Sequence, residues 1–375
     1  MKLAFLIYSY FPYGGQQRDL HRIASEAMNR GHEITIFTMK WEGERLEGAT
    51  TRIVPVSSLS RIRLYRKFTA WILEELAQDA FDLVIGFNKM PGLDIYFAAD
   101  PCFAEKAQHQ RGLYYRFTPR YRHFIEYERA VLGDGSDTRV LYLSELQHQS
   151  FEKYYPDCAS RLFQVPPGID RDRVVTDAAP MIRKKFRQAF SLEEDALLVL
   201  QVGSGFKVKG VDRSLEAIAS LPSSILSRVR FILIGQDKPD KFMSLAKRLG
   251  IEKNFEVLPG RDDIPRFLLG ADLLLHPAYS ESAGYVLLEA TISGLPVLTT
   301  STCGYASHVR LAGSGLVCEE PFQQAQLNEK LATMLTSPER TNWIQSGLDY
   351  GKQPQLYSLA QAATDFIEQS QVRPD

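Results

Sequence analysis

Residues 279–300 read YSESAGYVLLEATISGLPVLTT. Two carboxylates, Glu281 and Glu289, stand eight residues apart in it. Val286, Leu287, Leu288, Ala290 and Ile292 surround Glu289 almost completely, and an acid inside an apolar helix needs a partner. Ser282-Ala283-Gly284 can end a loop and begin that helix. Gly294-Leu295-Pro296 stops it, and the run to Thr300 reads as a strand. Upstream, "DLLLHPA" (residues 272–278) is another buried strand. Strand, loop, helix and strand form the unit of a doubly wound α/β fold, whose ligands meet the loops at the carboxyl ends of the strands.

The same unit recurs in both directions. "LLVLQVGS", "VRFILIGQ" and "FEVLPG" precede the stretch, with a helix predicted over 211–220. Near the N-terminus, Leu3–Phe11 reads as a strand ending in Gly14-Gly15. A helix over 17–30 and the strand "HEITIFTM" follow. Further strands are predicted at 51–56, 82–87, 140–143 and 162–165. Strands alternating with helices imply mostly parallel sheets. A chain of 375 residues exceeds one compact core, so two domains are expected. The join falls at "VPPGID", 165–170, where two prolines and a glycine stop regular structure. The expected division is 1–168 and 169–354, with a last helical segment within 355–375 crossing back to the first domain.

Composition narrows the function. Net charge is −1, which gives no global pull toward nucleic acid. Cys102, Cys158, Cys303 and Cys318 form no C-x-x-C pair and read as reduced thiols. The N-terminal segment lacks a small-residue cleavage site, and no apolar stretch reaches membrane-spanning length. A cytoplasmic protein is expected.

Four features carry chemistry. Gly14-Gly15, at the end of a strand and the start of a helix, lets backbone N–H groups approach a phosphate or a sugar. Asp19 follows in the first helical turn, where an acid complements the helix dipole. "GSGFKVKGVDR", 203–213, is neither a Walker A loop nor a dinucleotide fingerprint. It places Lys207 and Lys209 at a strand end, suited to a diphosphate. In the opening stretch, Glu289 could take a ribose diol and Glu281 the hydroxyls of a sugar, since a carboxylate accepts two hydroxyls at once. Asp100 ends the apolar run "IYFAAD" and is a further cleft acid, whereas Asp170 and Asp172 read as solvated. No metal-ligand spacing is evident. Finally, "KAQHQRGLYYRFTPRYRH" (106–123) carries Lys106, Arg111, Arg116, Arg120 and Arg122 without an acid. Aromatic residues are interleaved. The combination suits an anionic membrane surface or an anionic ligand. RNA is read by the same residue types.

The segments "GGQQRDLHRIASEAMNRGHEITIFT" and "ESAGYVLLEA…GLPVLTT" resemble the opening and the Glu-x7-Glu motif of glycosyltransferase family 4. The match is closer to members that build the lipopolysaccharide core, through "YFPYGGQQRD", "IGFNKMPGLDIYFAAD", "RYRH", "PPGI", "KGVDRS", "IGQDKP", "DLLLHPAY" and "CGYA". The resemblance spans essentially the whole chain. It implies a GT-B fold, two Rossmann-like domains facing a central cleft, the first binding acceptor and the second the nucleotide sugar. It implies transfer from UDP-glucose to a heptose of the lipopolysaccharide inner core, with retention and without a metal or other cofactor, at the cytoplasmic face of the inner membrane. Carried over residue by residue, Gly15 meets the diphosphate or sugar through its backbone. Asp19 and Asp100 lie near the transferred sugar. Arg173 and Lys209 meet the diphosphate, Glu281 and the Ala283-Gly284-Tyr285 backbone the sugar, and Glu289 the ribose.

Two departures stand out. Val208 occupies a position where the family often has Arg, which leaves Lys207 to supply the charge. Ser282 and Tyr285 differ from the close relatives and keep a UDP-N-acetylhexosamine donor open. A dehydrogenase lacks its fingerprint here. A non-catalytic, membrane-associated carbohydrate-binding protein is the remaining alternative.

Overall fold

The computed structural model describes residues 1–12, 14–110 and 112–370; of His109, Gln110 and Leu113 it describes the backbone alone. It divides into two compact units. Unit 1 comprises 1–168 with 357–375, and unit 2 comprises 169–356.

In unit 1 the strands are β1 (Lys2–Leu6), β2 (Ser9–Tyr10), β3 (Glu33–Thr38), β4 (Lys40–Trp41), β5 (Thr50–Ile53), β6 (Leu83–Gly86), β7 (Ile95–Ala98), β8 (Arg139–Tyr142) and β9 (Leu162–Gln164). Seven form one sheet, ordered β5-β3-β1-β6-β7-β8-β9, and β2 pairs with β4 beside it. Every pairing is parallel. Parallel strands covered on both faces read as continuous apolar runs. Accordingly Leu3, Ala4, Phe5 and Leu6 are all essentially inaccessible. The helix Gly15–Asn29 buries Leu20, Ile23, Ala24 and Ala27. The C-terminal helix Leu359–Ser370 packs on it. Arg30 ties the two, 2.5 Å from Asp365 and 3.0 Å from Glu368.

Unit 2 holds β10 (Leu197–Val202), β11 (Val229–Ile234), β12 (Phe255–Leu258), β13 (Leu273–His276), β14 (Val297–Thr300) and β15 (Gly315–Cys318), in the order β12-β11-β10-β13-β14-β15. All are parallel. β15 and the helices Gln324–Thr336 and Arg340–Tyr350 were not anticipated from sequence. Gly313, in the left-handed conformation (φ 60°), separates β15 from the preceding helix, a C-cap geometry that glycine adopts without penalty.

Each sheet reverses its winding at its first strand: β1 lies between β3 and β6, and β10 between β11 and β13. The crevice at such a reversal is where doubly wound sheets bind ligands. The loops that leave β1, β6, β7, β10 and β13 are therefore the ones to inspect.

Candidate active site

In unit 2 the loop after β10 brings Lys209 against the loop after β13. The Lys209 ammonium donates to Glu281 Oε1, and the other carboxylate oxygen lies 2.6 Å from His276 Nε2. His276 closes β13 and is wholly buried. Burial alone would raise the Glu281 carboxyl, but Lys209 and His276 outweigh it and hold it down at about 2. Glu281 is therefore a carboxylate throughout the working range.

Local backbone chemistry makes this arrangement. Gly210 has φ +70°, and a Cβ there would sit 2.0 Å from the Pro277 carbonyl oxygen. Only glycine lets the two loops approach so closely. Gln201, fully buried inside β10, donates from Nε2 to the Lys209 carbonyl at 2.7 Å. On the other side, Glu281 N donates to Thr302 O at 3.0 Å, and Tyr305 N to Ala283 O at 2.7 Å. These bonds pin residues 281–284 to the turn after β14. Gly284 (φ +93°) then opens the helix Tyr285–Ile292, whose first N–H groups lie beside Glu281 in sequence and have no intrahelical acceptors.

Glu289 lies within that helix at 4% exposure. Its carboxylate is 3.7 Å from Arg173 Nε, and Ser293 Oγ links this helix to the Arg173 carbonyl at 3.1 Å. The two residues assigned from sequence to ribose and diphosphate are thus neighbours. Lys207, the cation left to supply the charge missing at Val208, is paired instead of free. It is bonded to Asp212, whose Oδ2 also accepts from Tyr279 Oη at 2.9 Å. Lys207 Nζ also lies 4.8 Å from the centroid of the Tyr279 ring.

The fold also assembles a group that residue spacing did not reveal. Ligand atoms of His276, Glu281 and Cys303 lie within 4.8 Å of one another. Burial, helped by Glu281, pushes the Cys303 thiol up to about 11, so it is protonated at neutral pH. Lys209 already supplies a cation to the carboxylate.

Comparison with known proteins places the chain in a family. Residues 182–349 match the family model "Glycosyl transferases group 1", and residues 13–173 match "Glycosyltransferase Family 4". The chain is 46% identical to the lipopolysaccharide glucosyltransferase WaaG of Escherichia coli (strain K12), over 98% of each. This chain belongs to the family 4 glycosyltransferases. A crystal structure of WaaG superposes with a TM-score of 0.94, covering 97% of this chain and 99% of that one. The fold, though not the sequence, is shared with Anabaena HepE in complex with UDP-glucose, at 18% identity, TM-score 0.77 and coverage of 98% and 100%. The chain therefore has the GT-B fold, built of two Rossmann-like units.

In unit 1 of this glycosyltransferase, Gly15 begins the first helix at the β1 end of the switch point. Gln16 and Asn88 bond to each other at 3.4 Å, and Asn88 Oδ1 accepts from Tyr8 N at 2.8 Å. The β1 and β6 loops are thereby joined. Asp19 does not reach a surface: it is fully buried and bonds Arg22 at 3.0 Å. Asp100, after β7, opens onto a hollow of about 280 Å³. The surrounding protein nonetheless desolvates it enough to raise its carboxyl pKa against Lys89 and Lys106, which lower it.

The basic stretch does not form one face. It runs through the helix Phe103–Gln110, a tight 3-10 turn Leu113–Phe117, and the helix Pro119–Leu132. Lys106 and Arg120 line the Asp100 hollow, Arg116 lines a second hollow with Arg129, and Arg122 is exposed. Arg111 lies outside the described residues. Tyr114 and Phe117, at 88% and 72% exposure, project from the turn.

Sequence reading missed Glu128. It is wholly buried and accepts from Lys89 Nζ (2.6 Å), Phe103 N (2.6 Å), Ala104 N (2.8 Å) and Tyr155 Oη (2.9 Å). Lys89 also donates to the Pro101 carbonyl at 2.8 Å. Together they fix the loop that carries Asp100. "RHFIEYERAVL" reads as an ordinary amphipathic helix, so no sequence signal marked the residue.

Proposed function

We propose that this glycosyltransferase moves glucose from UDP-glucose to a heptose of the lipopolysaccharide inner core, with retention of anomeric configuration. The full-length similarity to a lipopolysaccharide glucosyltransferase supports the donor and acceptor classes. The observation that carries the chemistry is the Lys209–Glu281–His276 chain at the carboxyl ends of β10 and β13.

Breaking the anomeric C–O bond places negative charge on the departing UDP. Lys209, Arg173 and the first N–H groups of the helix Tyr285–Ile292 answer that charge. Glu281 orients the Lys209 ammonium and accepts sugar hydroxyls. The backbone at Ala283, Gly284 and Tyr285 contacts the sugar. Glu289, aligned by Arg173, takes the ribose hydroxyls. Gly15, at the start of its helix, offers its backbone N–H to a sugar or phosphate group. The sugar develops oxocarbenium character, and attack from the face that UDP leaves gives retention. A phosphate oxygen of the leaving group takes the acceptor proton. The cations of Lys209 and Arg173 serve the diphosphate in this scheme, so no metal is invoked.

The exposed Tyr114 and Phe117 with Arg116 and Arg122 support reversible attachment to an anionic membrane on the cytoplasmic side, where such residues insert and pair with headgroups. Among the described residues no helix is long and apolar enough to cross a membrane.

The test is incubation with a panel of UDP-sugars and deacylated core oligosaccharide, followed by linkage analysis. α-Glucosylation of heptose is expected. Transfer of an N-acetylhexosamine instead would overturn the donor assignment, and binding without transfer would overturn the enzyme reading.

A further inference from the structure

The hollow beside Asp100 has a composition that a neutral sugar does not require. One wall is aromatic: Tyr8 and Tyr65 stack at 4.1 Å with 6° between their planes, and Phe124 meets Tyr65 edge-on at 6.4 Å. Rings packed on one another in this way leave their edges and outer surface as an apolar wall that the apolar side of a sugar ring can lie against. Asp100 suits its hydroxyls. The lining also holds three cations, Lys89, Lys106 and Arg120, against this single carboxylate. The charge of Lys89 is answered from below by Glu128 at 2.6 Å. Lys106 and Arg120 then share the lining with one carboxylate, Asp100. The Arg120 guanidinium lies 5.5 Å from the centroid of Phe124, so cation and aromatic wall meet one occupant together.

Resting on the acceptor assignment above, we propose that this hollow reads a negatively charged group of the acceptor glycan, with Lys106 and Arg120 as its recognition residues. The ring lies against the aromatic wall of Tyr65 and Phe124, Asp100 takes hydroxyls, and the two cations take a carboxylate or a phosphate.

The experiment uses the full chain, without vesicles, and deacylated core oligosaccharide prepared in three forms: untreated, carboxyl-reduced and dephosphorylated. Transfer is measured for wild type, Lys106→Gln and Arg120→Gln. Each variant is expected to raise KM for the untreated acceptor about tenfold, with kcat and UDP affinity by calorimetry unchanged. Wild type should show the same raised KM on whichever treated form has lost the recognised anion, and the variants should lose nothing further there. The form that shows this identifies carboxylate or phosphate as the source. Equal KM changes for all three forms, or none, would overturn the proposal. Should wild type transfer no sugar, calorimetric binding of the three oligosaccharides still decides it: tighter binding of the charged form, lost in Arg120→Gln, supports the pocket while the enzyme reading fails.

Discussion

Replacing Lys209 separates the two jobs proposed for its ammonium. In the proposed mechanism it is one preorganised donor facing charge that develops on the leaving diphosphate. Loss of one such donor costs roughly 10²–10³ in kcat, about 3 kcal/mol. In folding it balances Glu281. The two side chains are 19% and 16% exposed, so solvent screens part of their attraction, and removing the cation should cost roughly 1–3 kcal/mol. In Lys209→Ala, burial then acts on Glu281 with only His276 opposing it, and the carboxyl should rise from about 2 toward or above its ordinary 4.5. The sign follows from linkage. A depressed folded pKa stabilises the wild type above the unfolded value, and that stability is lost as pH falls from about 4.5 toward 2. The variant should lose this acid-side slope. A companion variant, Lys209→Met with Glu281→Gln, restores charge balance without restoring the donor. It should regain stability in urea denaturation at pH 7 while turnover stays at or below the level of Lys209→Ala. Steady-state glucosyl transfer gives kcat and KM for each. Turnover of Lys209→Ala within tenfold of wild type, or recovery of turnover in the double variant, would refute the assignment.

Glu289→Ala should weaken UDP binding at least about tenfold by calorimetry, because even one hydrogen bond to a charged group contributes roughly 1.5–3 kcal/mol; unchanged affinity would remove the ribose role. Asp272 accepts from Arg183 and Arg340, each at 2.6 Å, from Arg187 at 3.1 Å and from Leu198 N at 2.7 Å. Asp272→Asn strands three guanidinium groups around one site and should cost unit 2 about 3 kcal/mol, read as a lowered urea midpoint. Burial would raise the Asp272 carboxyl, but Arg340 and Arg183 bring its pKa below the usual value. That stabilisation is therefore present above about pH 4 and is lost in acid, and the variant should not show this loss. Phe117→Ser with Arg122→Gln should reduce flotation with vesicles containing anionic lipid and leave transfer to soluble acceptor unchanged. Equal flotation of wild type with neutral and anionic vesicles would remove the membrane role.

The sheets were legible because parallel strands covered on both faces read as unbroken apolar runs, as "LAFL" and "LLVL" do, each short and followed by a glycine-bearing loop. The acid at 289 stood out for the converse reason, since it interrupts a buried segment and so requires a partner. What escaped reading were interactions whose two ends share no local pattern. Gln201 sits in a strand as one polar residue among aliphatic ones, and only the return of the chain at Lys209 gives its amide a purpose. Asp272 and Glu128 each draw partners from several elements far apart in sequence, which no period of 2 or 3.6 encodes.

The basic stretch teaches the sharper lesson. As a string, 106–123 is a run of cations without an acid, and such a run reads as one electrostatic surface. The 3-10 turn at Leu113–Phe117 breaks the helical phase in the middle of it. With three residues per turn rather than 3.6, the side chains on either side no longer share a face. Lys106 and Arg120, fourteen positions apart, therefore meet at one hollow while Arg116 and Arg122, nearer in sequence to Arg120, lie elsewhere. Charge count sets how strongly the segment attracts anions; the turn decides which anion each cation can touch. One segment can on this account serve a glycan and a lipid surface at once, because its backbone sorts chemically identical side chains to different neighbours.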